Sequence, residues 1–211
     1  MVAVKCISCN HRKGRRECPA LGGMICTQCC GSKRGSEIKC PDDCRYFGQA
    51  MGKKWFELFQ PVWDSIQNEQ ERALLFNAVN TCFPLVIFLQ RSLLEVVLQM
   101  ADPRNEYILE ALQILESGYR SESKGIIYEP NSTNLNIQTI VREMRESVSR
   151  ETEEAKIPPE ILAESFRIMS LFAESYTADN RDDLSYAELL GQFHPTVEAP
   201  GEKQGNIIIT G

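Results

Sequence analysis

Cysteine is the residue type in this chain that most clearly predicts chemistry. Eight of the nine cysteines in the 211 residues lie in one N-terminal segment, at Cys6, Cys9, Cys18, Cys26, Cys29, Cys30, Cys40 and Cys44. Pairs separated by two or three residues place two thiolates on one tight turn, where both reach a single ion at about 2.3 Å. Eight thiolates are the ligands of two tetrahedral zinc sites, so the sequence predicts two structural zinc ions.

Other uses of clustered thiols fit the sequence less well. The first twenty residues are polar and basic, and they lack the apolar stretch of a secretion signal, which disfavours a secreted disulfide scaffold. An iron–sulfur cluster usually takes its thiolates from one dense run with a remote fourth ligand. A redox-active dithiol remains open, because Cys29 and Cys30 are adjacent and Cys26 precedes Cys29 with the redox spacing.

The order of the cysteines resembles that of the HIT-type zinc finger over about residues 5–47. In that family the first and third cysteine pairs share one zinc ion. The resemblance therefore implies a first site formed by Cys6, Cys9, Cys26 and Cys29.

The second site departs from the family pattern. Leu21 stands where the family has the second ligand of its second pair, and Cys30 is placed to replace that ligand. The resemblance thus implies a second set of Cys18, Cys30, Cys40 and Cys44. The segment is also similar to the cysteine-rich N-termini of uncharacterised prokaryotic proteins, a similarity that implies no activity.

Basic residues are concentrated in loops between the cysteines and suggest a second function. These residues are Arg12, Lys13, Arg15, Arg16, Lys33 and Arg34. Such loops can contact phosphates, and they can equally offset thiolate charge. Residues 4–45 contain no Phe, Tyr or Trp, so they offer no platform for base stacking. Nucleic-acid binding is accordingly an alternative hypothesis.

The remainder of the chain predicts a mainly α fold, in which the zinc module of irregular structure and short β-strands precedes an all-α domain. The predicted units are residues 1–48, a helical bundle over 49–195, and a linker with a strand-like tail over 196–211. We place the junction near residues 46–54, where Gly48 and Gly52 interrupt the helical pattern.

Helix start signals follow at several points along the bundle. Pro61, and then Thr81 with Pro84, are expected to open two helices; Asp102 with Pro103 and Pro158 with Pro159 open two more. Further helices are predicted over about 137–148 and 184–193. Cys82 lies in an apolar run and is expected in the core.

Strand-like segments and one strongly apolar run also occur in the remainder of the chain. Residues 125–128 and 206–210 have strand-like composition and could pair as one short β-ribbon. The run from Pro84 to Leu98 is the most apolar in the chain, but Gln90, Arg91 and Glu95 interrupt it, so it is expected to be a core helix rather than a membrane span.

Catalytic motifs are absent from the sequence. It has two histidines and no nucleophile elbow, phosphate-binding loop or His-Glu-x-x-His pattern. We therefore expect a cytoplasmic, non-enzymatic zinc-binding adaptor or regulatory protein that contacts another protein or itself. No small-molecule substrate is evident. The alternatives are a nucleic-acid-associated factor and a redox switch in which thiol oxidation ejects zinc.

Overall fold

The computed structural model describes residues 4–126, 131–180 and 182–198, with the side chains of 152–155 excepted. Within this part of the chain the protein is mainly helical, with seven helices and one two-stranded sheet. The predicted fold class is therefore confirmed. The predicted β-ribbon cannot be placed, because residues 127–130 and 199–211 lie outside the described residues.

The N-terminal module contains the sheet and a short helix. Strands β1 (Arg16–Cys18) and β2 (Gly23–Ile25) are antiparallel, and Arg16 lies opposite Ile25. Gly22, with φ of 64°, forms part of the turn between the strands in the left-handed region that glycine adopts without strain. Helix α1 (Thr27–Lys33) follows β2 directly.

Six longer elements form the helical domain. They are α2 (Arg45–Ser65), α3 (Glu69–Val97), α4 (Asn105–Glu122), α5 (Leu135–Ala155), α6 (Pro159–Asp179) and α7 (Ser185–Phe193). Helix α6 packs against α2, α3, α4 and α7, and its contact with α4 is the most extensive in the domain. Asn68 caps α3, where its side-chain oxygen accepts hydrogen bonds from the backbone N–H groups of Gln70 and Glu71.

Two of the predicted helix starts are wrong. Pro61 lies inside α2 and Pro84 inside α3, and the side chain of Thr81 hydrogen-bonds the Asn77 carbonyl of the preceding turn instead of capping a helix. Proline in a helix interior removes one backbone hydrogen bond. Buried residues on both sides of Pro84, Cys82 and Val86 among them, keep the helix continuous, because tertiary packing outweighs local preference.

The start at Asp102 is also displaced, by two residues. Arg104 is the N-cap of α4, and its guanidinium binds the Asp102 carboxylate at 3.1 Å, which occupies the side chain expected to cap the helix. The start at Pro158 and Pro159 is confirmed, with Pro159 as the first residue of α6. The short helix predicted near residue 184 is confirmed as α7.

The apolar core forms two clusters, one in each part of the protein. The helical cluster is centred on aromatic residues, with the Trp55 ring stacked on Phe59 at 4.8 Å and tilted against Phe172 at 4.9 Å. Cys82 belongs to this cluster, as predicted. The smaller cluster contains the N-terminal cysteines with Ile25, Ile38 and Phe47. Met51 packs against both clusters and joins them.

The junction between the two parts is a continuous helix. Helix α2 begins directly after Cys44 and runs through residues 46–54, so Gly48 and Gly52 do not interrupt it. A glycine inside a helix costs about 0.5–1 kcal/mol relative to alanine. The junction therefore contains two residues that weaken the helix in which they lie.

Helix α3 is long and apolar enough to cross a membrane by length and composition, and a third of its most apolar window is buried within the protein. Core helices of soluble proteins meet the same criterion. Eleven residues of α3 are buried, and the helix packs against α5, α6 and α7.

Candidate metal centre

The first cysteine pair lies on a loop held by backbone hydrogen bonds. The Cys6 N–H donates to the Arg12 carbonyl at 2.8 Å, and the Asn10 N–H donates to the Cys6 carbonyl at 2.8 Å. Asn10 has a φ of 54°, a left-handed conformation that asparagine tolerates better than most residues. The Ile7 N–H donates to the Met24 carbonyl at 2.9 Å and fixes the loop beside β2.

The second pair lies at the start of α1. Cys26 is the N-cap residue of this helix, and its sulfur accepts a hydrogen bond from the Cys29 N–H at 3.4 Å. Cys29 lies in the first turn and is buried. The junction of β2 and α1 therefore presents two sulfurs to the loop that carries Cys6 and Cys9.

The four sulfur atoms of Cys6, Cys9, Cys26 and Cys29 lie within 4.8 Å of one another. Sulfurs about 2.3 Å from a central zinc ion would be about 3.8 Å apart, so small movements would complete a tetrahedron. Three of the cysteines are buried and Cys9 is partly exposed. This group could hold a metal ion, with four protein ligands and no position left for water.

The protonation of these thiols reflects their crowding. Burial raises the pKa of Cys6, but backbone hydrogen bonds from Cys26, Cys9 and Ser8 outweigh it and lower that pKa to about 6. The Cys26 side chain and burial raise the pKa of Cys29 to about 11. Four neighbouring thiolates repel one another, and a divalent cation removes this repulsion when it binds.

Arg12 lies beside this cluster. A hydrogen bond with the Cys26 side chain and the charges of Cys26, Cys9 and Cys29 raise the pKa of Arg12. Four thiolates around a divalent ion carry a net charge of about −2, which a neighbouring guanidinium partly neutralises.

The four cysteines of the second predicted metal site lie together in another part of the N-terminal module. Cys18, Cys30, Cys40 and Cys44 all line one small cavity of about 10 Å³. Burial raises the pKa of Cys40, and so do the charges of Cys44, Cys18 and Cys30. Among the described residues, however, only the first set brings its sulfurs within 4.8 Å of one another. The structure thus shows one group that could hold a metal, and places the other four cysteines around one cavity.

Two arginines hold the second set in place. The Arg16 Nη1 donates to the Cys30 sulfur at 3.4 Å, and its guanidinium lies 4.5 Å from the centre of the Tyr46 ring. The Arg34 Nε donates to the Cys30 carbonyl at 3.0 Å, and its Nη1 to the Tyr46 carbonyl at 2.8 Å. Tyr46 belongs to α2, so both arginines also link the module to the helical domain.

Most of the six basic residues considered for nucleic-acid binding thus have partners within the module. Arg12, Arg16 and Arg34 contact cysteines or backbone carbonyls, and Lys33 forms an ion pair with Glu37 at 2.8 Å. The side chains of Lys13 and Arg15 are exposed. This arrangement favours the interpretation that the basic loops offset thiolate charge.

Sequence reasoning missed the contacts between the module and the helices. Arg91 of α3 forms an ion pair with Asp42, which lies between Cys40 and Cys44. Lys39 pairs with Glu198 beyond the end of α7, and within the helical domain Lys54 of α2 donates to the Gln192 side chain of α7 at 2.6 Å. These partners are between 49 and 159 residues apart, and no local pattern predicts such pairs.

The sequence patterns also gave no indication that His194 is buried. Its side chain is 3% exposed, and its Nε2 has no hydrogen-bond partner in the described part of the chain. Burial, together with the nearby positive charge of Arg91, lowers the pKa of His194 to about 4 despite the opposing effect of Asp42. A buried polar atom without a partner costs about 1–3 kcal/mol.

Comparison with protein-family models, with curated proteins and with solved structures finds no match for this chain. The resemblance to the HIT-type finger therefore rests on the spacing of the cysteines.

Proposed function

We propose that this protein is a non-catalytic zinc protein in which two four-cysteine sites fold an N-terminal module, and that it acts as an adaptor through protein contacts. The observation that carries the proposal is the cluster of Cys6, Cys9, Cys26 and Cys29, with sulfurs within 4.8 Å of one another. Zinc is the metal that four thiolates in tetrahedral geometry most commonly bind. A closed sphere of four thiolates serves structure and leaves no open position for catalysis.

The second zinc site is part of this proposal. Its support is the shared cavity of Cys18, Cys30, Cys40 and Cys44, and the hydrogen bond from Arg16 to Cys30. Cys18 comes from β1, Cys30 from α1, and Cys44 immediately precedes α2. A metal ion there would fasten these elements to one another and fix the module on the helical domain.

The zinc sites can be tested by counting metal in single variants. We expect two zinc ions per chain in the native protein, one in Cys26→Ser and one in Cys40→Ser. Cys82→Ser is the matched control, because Cys82 lies in the helical core and should not change the count. Loss of zinc in the control, or an unchanged count in Cys26→Ser, would contradict the assignment.

The adaptor role is supported by an exposed apolar surface at the α2–α3 hairpin. Phe76 is 54% exposed, and its ring lies 6.0 Å from that of the partly exposed Trp63. We call Trp63 and Phe76 the hairpin patch. It borders a groove of about 570 Å³ that also contains Glu69 and Arg72. Contiguous exposed apolar surface commonly marks an interaction site.

The partner that this surface suits best is a second copy of the chain. Glu69 and Arg72 carry opposite charges and both line the groove. In a two-fold symmetric dimer centred between them, Glu69 of one copy would face Arg72 of the other. Light scattering of the full chain should give the mass of a dimer, and Phe76→Ser should give a monomer. Leu135→Ser is the control, because Leu135 is 76% exposed at the start of α5, outside the patch. A native monomer would contradict self-association.

A further inference from the structure

A cavity of about 380 Å³ lies where the N-terminal module meets the helical domain, between the module, α2, α3 and the end of α7. Its walls are mostly apolar, with Phe47, Phe83, Ile87, Phe88 and Phe193 among the side chains that line it. Small-molecule sites commonly have volumes of about 300–1,000 Å³, apolar walls and few polar groups, and they occur preferentially at domain interfaces. The cavity meets each of these conditions.

Two glycines of α2 are among the residues that line the cavity. Gly48 and Gly52 are one helical turn apart and both line it. A Cβ atom added at either position would meet no other atom within 4 Å. Close packing therefore does not explain these glycines, although each weakens the helix. Their missing side chains leave open the space that a ligand would fill.

The few polar groups at the cavity define the ligand further. His194 forms part of the wall, but its Nε2, which has no partner among the described residues, is closed off from the solvent that fills the cavity. At the rim, Arg91 is paired with Asp42 and also binds Glu95 at 3.1 Å. The one guanidinium among the residues that line the cavity therefore already has carboxylate partners, which disfavours an anion.

We propose that this cavity is a binding site for a neutral, largely apolar small molecule that contains aromatic or aliphatic groups. The molecule lies over Gly48 and Gly52 between the phenylalanine rings. The inference goes beyond the proposed zinc and self-association roles, because neither of them requires an open cavity at the junction.

The test is a titration of the full-length protein with N-phenyl-1-naphthylamine, a neutral aromatic amine whose fluorescence increases in apolar surroundings. We expect saturable binding of one molecule per chain. Gly48→Leu and Gly52→Leu should each weaken binding about tenfold or more, because an added side chain occupies the site. Gly191→Leu is the matched control: a Cβ there also meets no atom within 4 Å, but Gly191 of α7 lines a different cavity.

A milder variant guards against misfolding. The double variant Gly48→Ala with Gly52→Ala adds only two methyl groups to open space, so it should keep the native circular dichroism and still bind the probe more weakly. The related anion 1-anilinonaphthalene-8-sulfonate should bind more weakly than the neutral probe. Absence of saturable binding, equal affinity in the Gly52 and Gly191 variants, or preference for the anion would overturn the proposal.

Discussion

Arg16 donates a hydrogen bond to the sulfur of Cys30 at 3.4 Å while its guanidinium lies over the ring of Tyr46. One side chain thereby connects strand β1, helix α1 and helix α2. Hydrogen bonds to a metal-bound thiolate orient the ligand and reduce its charge, and their loss commonly lowers metal affinity by about 10–100-fold.

Replacement of Arg16 by glutamine is therefore expected to weaken one of the two proposed zinc sites. We expect release of one zinc ion per chain to a competing chelator at about tenfold lower chelator concentration, measured with a chromogenic zinc indicator. Arg15→Gln is the control, because Arg15 is the exposed neighbour with the same charge. Equal release from both variants would show that the contact with Cys30 does not support metal binding.

Removal of metal should unfold the two parts of the protein to different extents. The N-terminal cysteines form a core cluster distinct from that of the helical domain, and α2 to α7 have a core of their own. After treatment with a strong chelator, we expect most of the helical circular-dichroism signal to remain, while amide protection is lost in residues 5–44. Collapse of the whole helical signal would mean that the helices depend on the metal.

Stability should decrease in acid because of His194. Its pKa falls from 6.5 to about 4 on folding, so between these values the unfolded chain binds a proton that the folded chain excludes. The folding stability that depends on neutral His194 is fully present above pH 6.5 and is lost as the pH falls towards 4. Between about pH 7.5 and about pH 5 we expect a loss of about 2 kcal/mol from this residue.

The measurement is urea unfolding at both pH values for the native protein and for His194→Gln, which does not titrate. Acid also releases metal from thiolates, but both proteins share that effect. The difference in pH dependence between the two proteins therefore measures the effect of the His194 imidazole alone. Identical pH dependence in the two proteins would contradict the lowered pKa.

Local patterns in the sequence predicted part of this structure. Cysteine spacing indicated the pairs that include Cys6 and Cys26, and the resemblance to the HIT-type finger implied that these two pairs meet, as they do in the structure. Apolar periodicity predicted the helical class and α7, and Pro159 marked the start of α6.

The remaining features depend on contacts between distant residues. Pro61 and Pro84 indicate helix starts locally, but burial of the surrounding side chains keeps α2 and α3 continuous. Gly48 and Gly52 look like breaks in a helical pattern, and only the three-dimensional arrangement shows that they line a cavity. The ion pair of Asp42 with Arg91 has no local signature at all.

The most direct test is the metal content of the purified native protein, measured by elemental analysis together with a thiol count under denaturing, chelating conditions. We expect two zinc ions and nine free thiols per chain. A single zinc ion would contradict the second site. Iron, or protein that folds without any metal, would contradict the proposal that clustered cysteines bind zinc to fold this module.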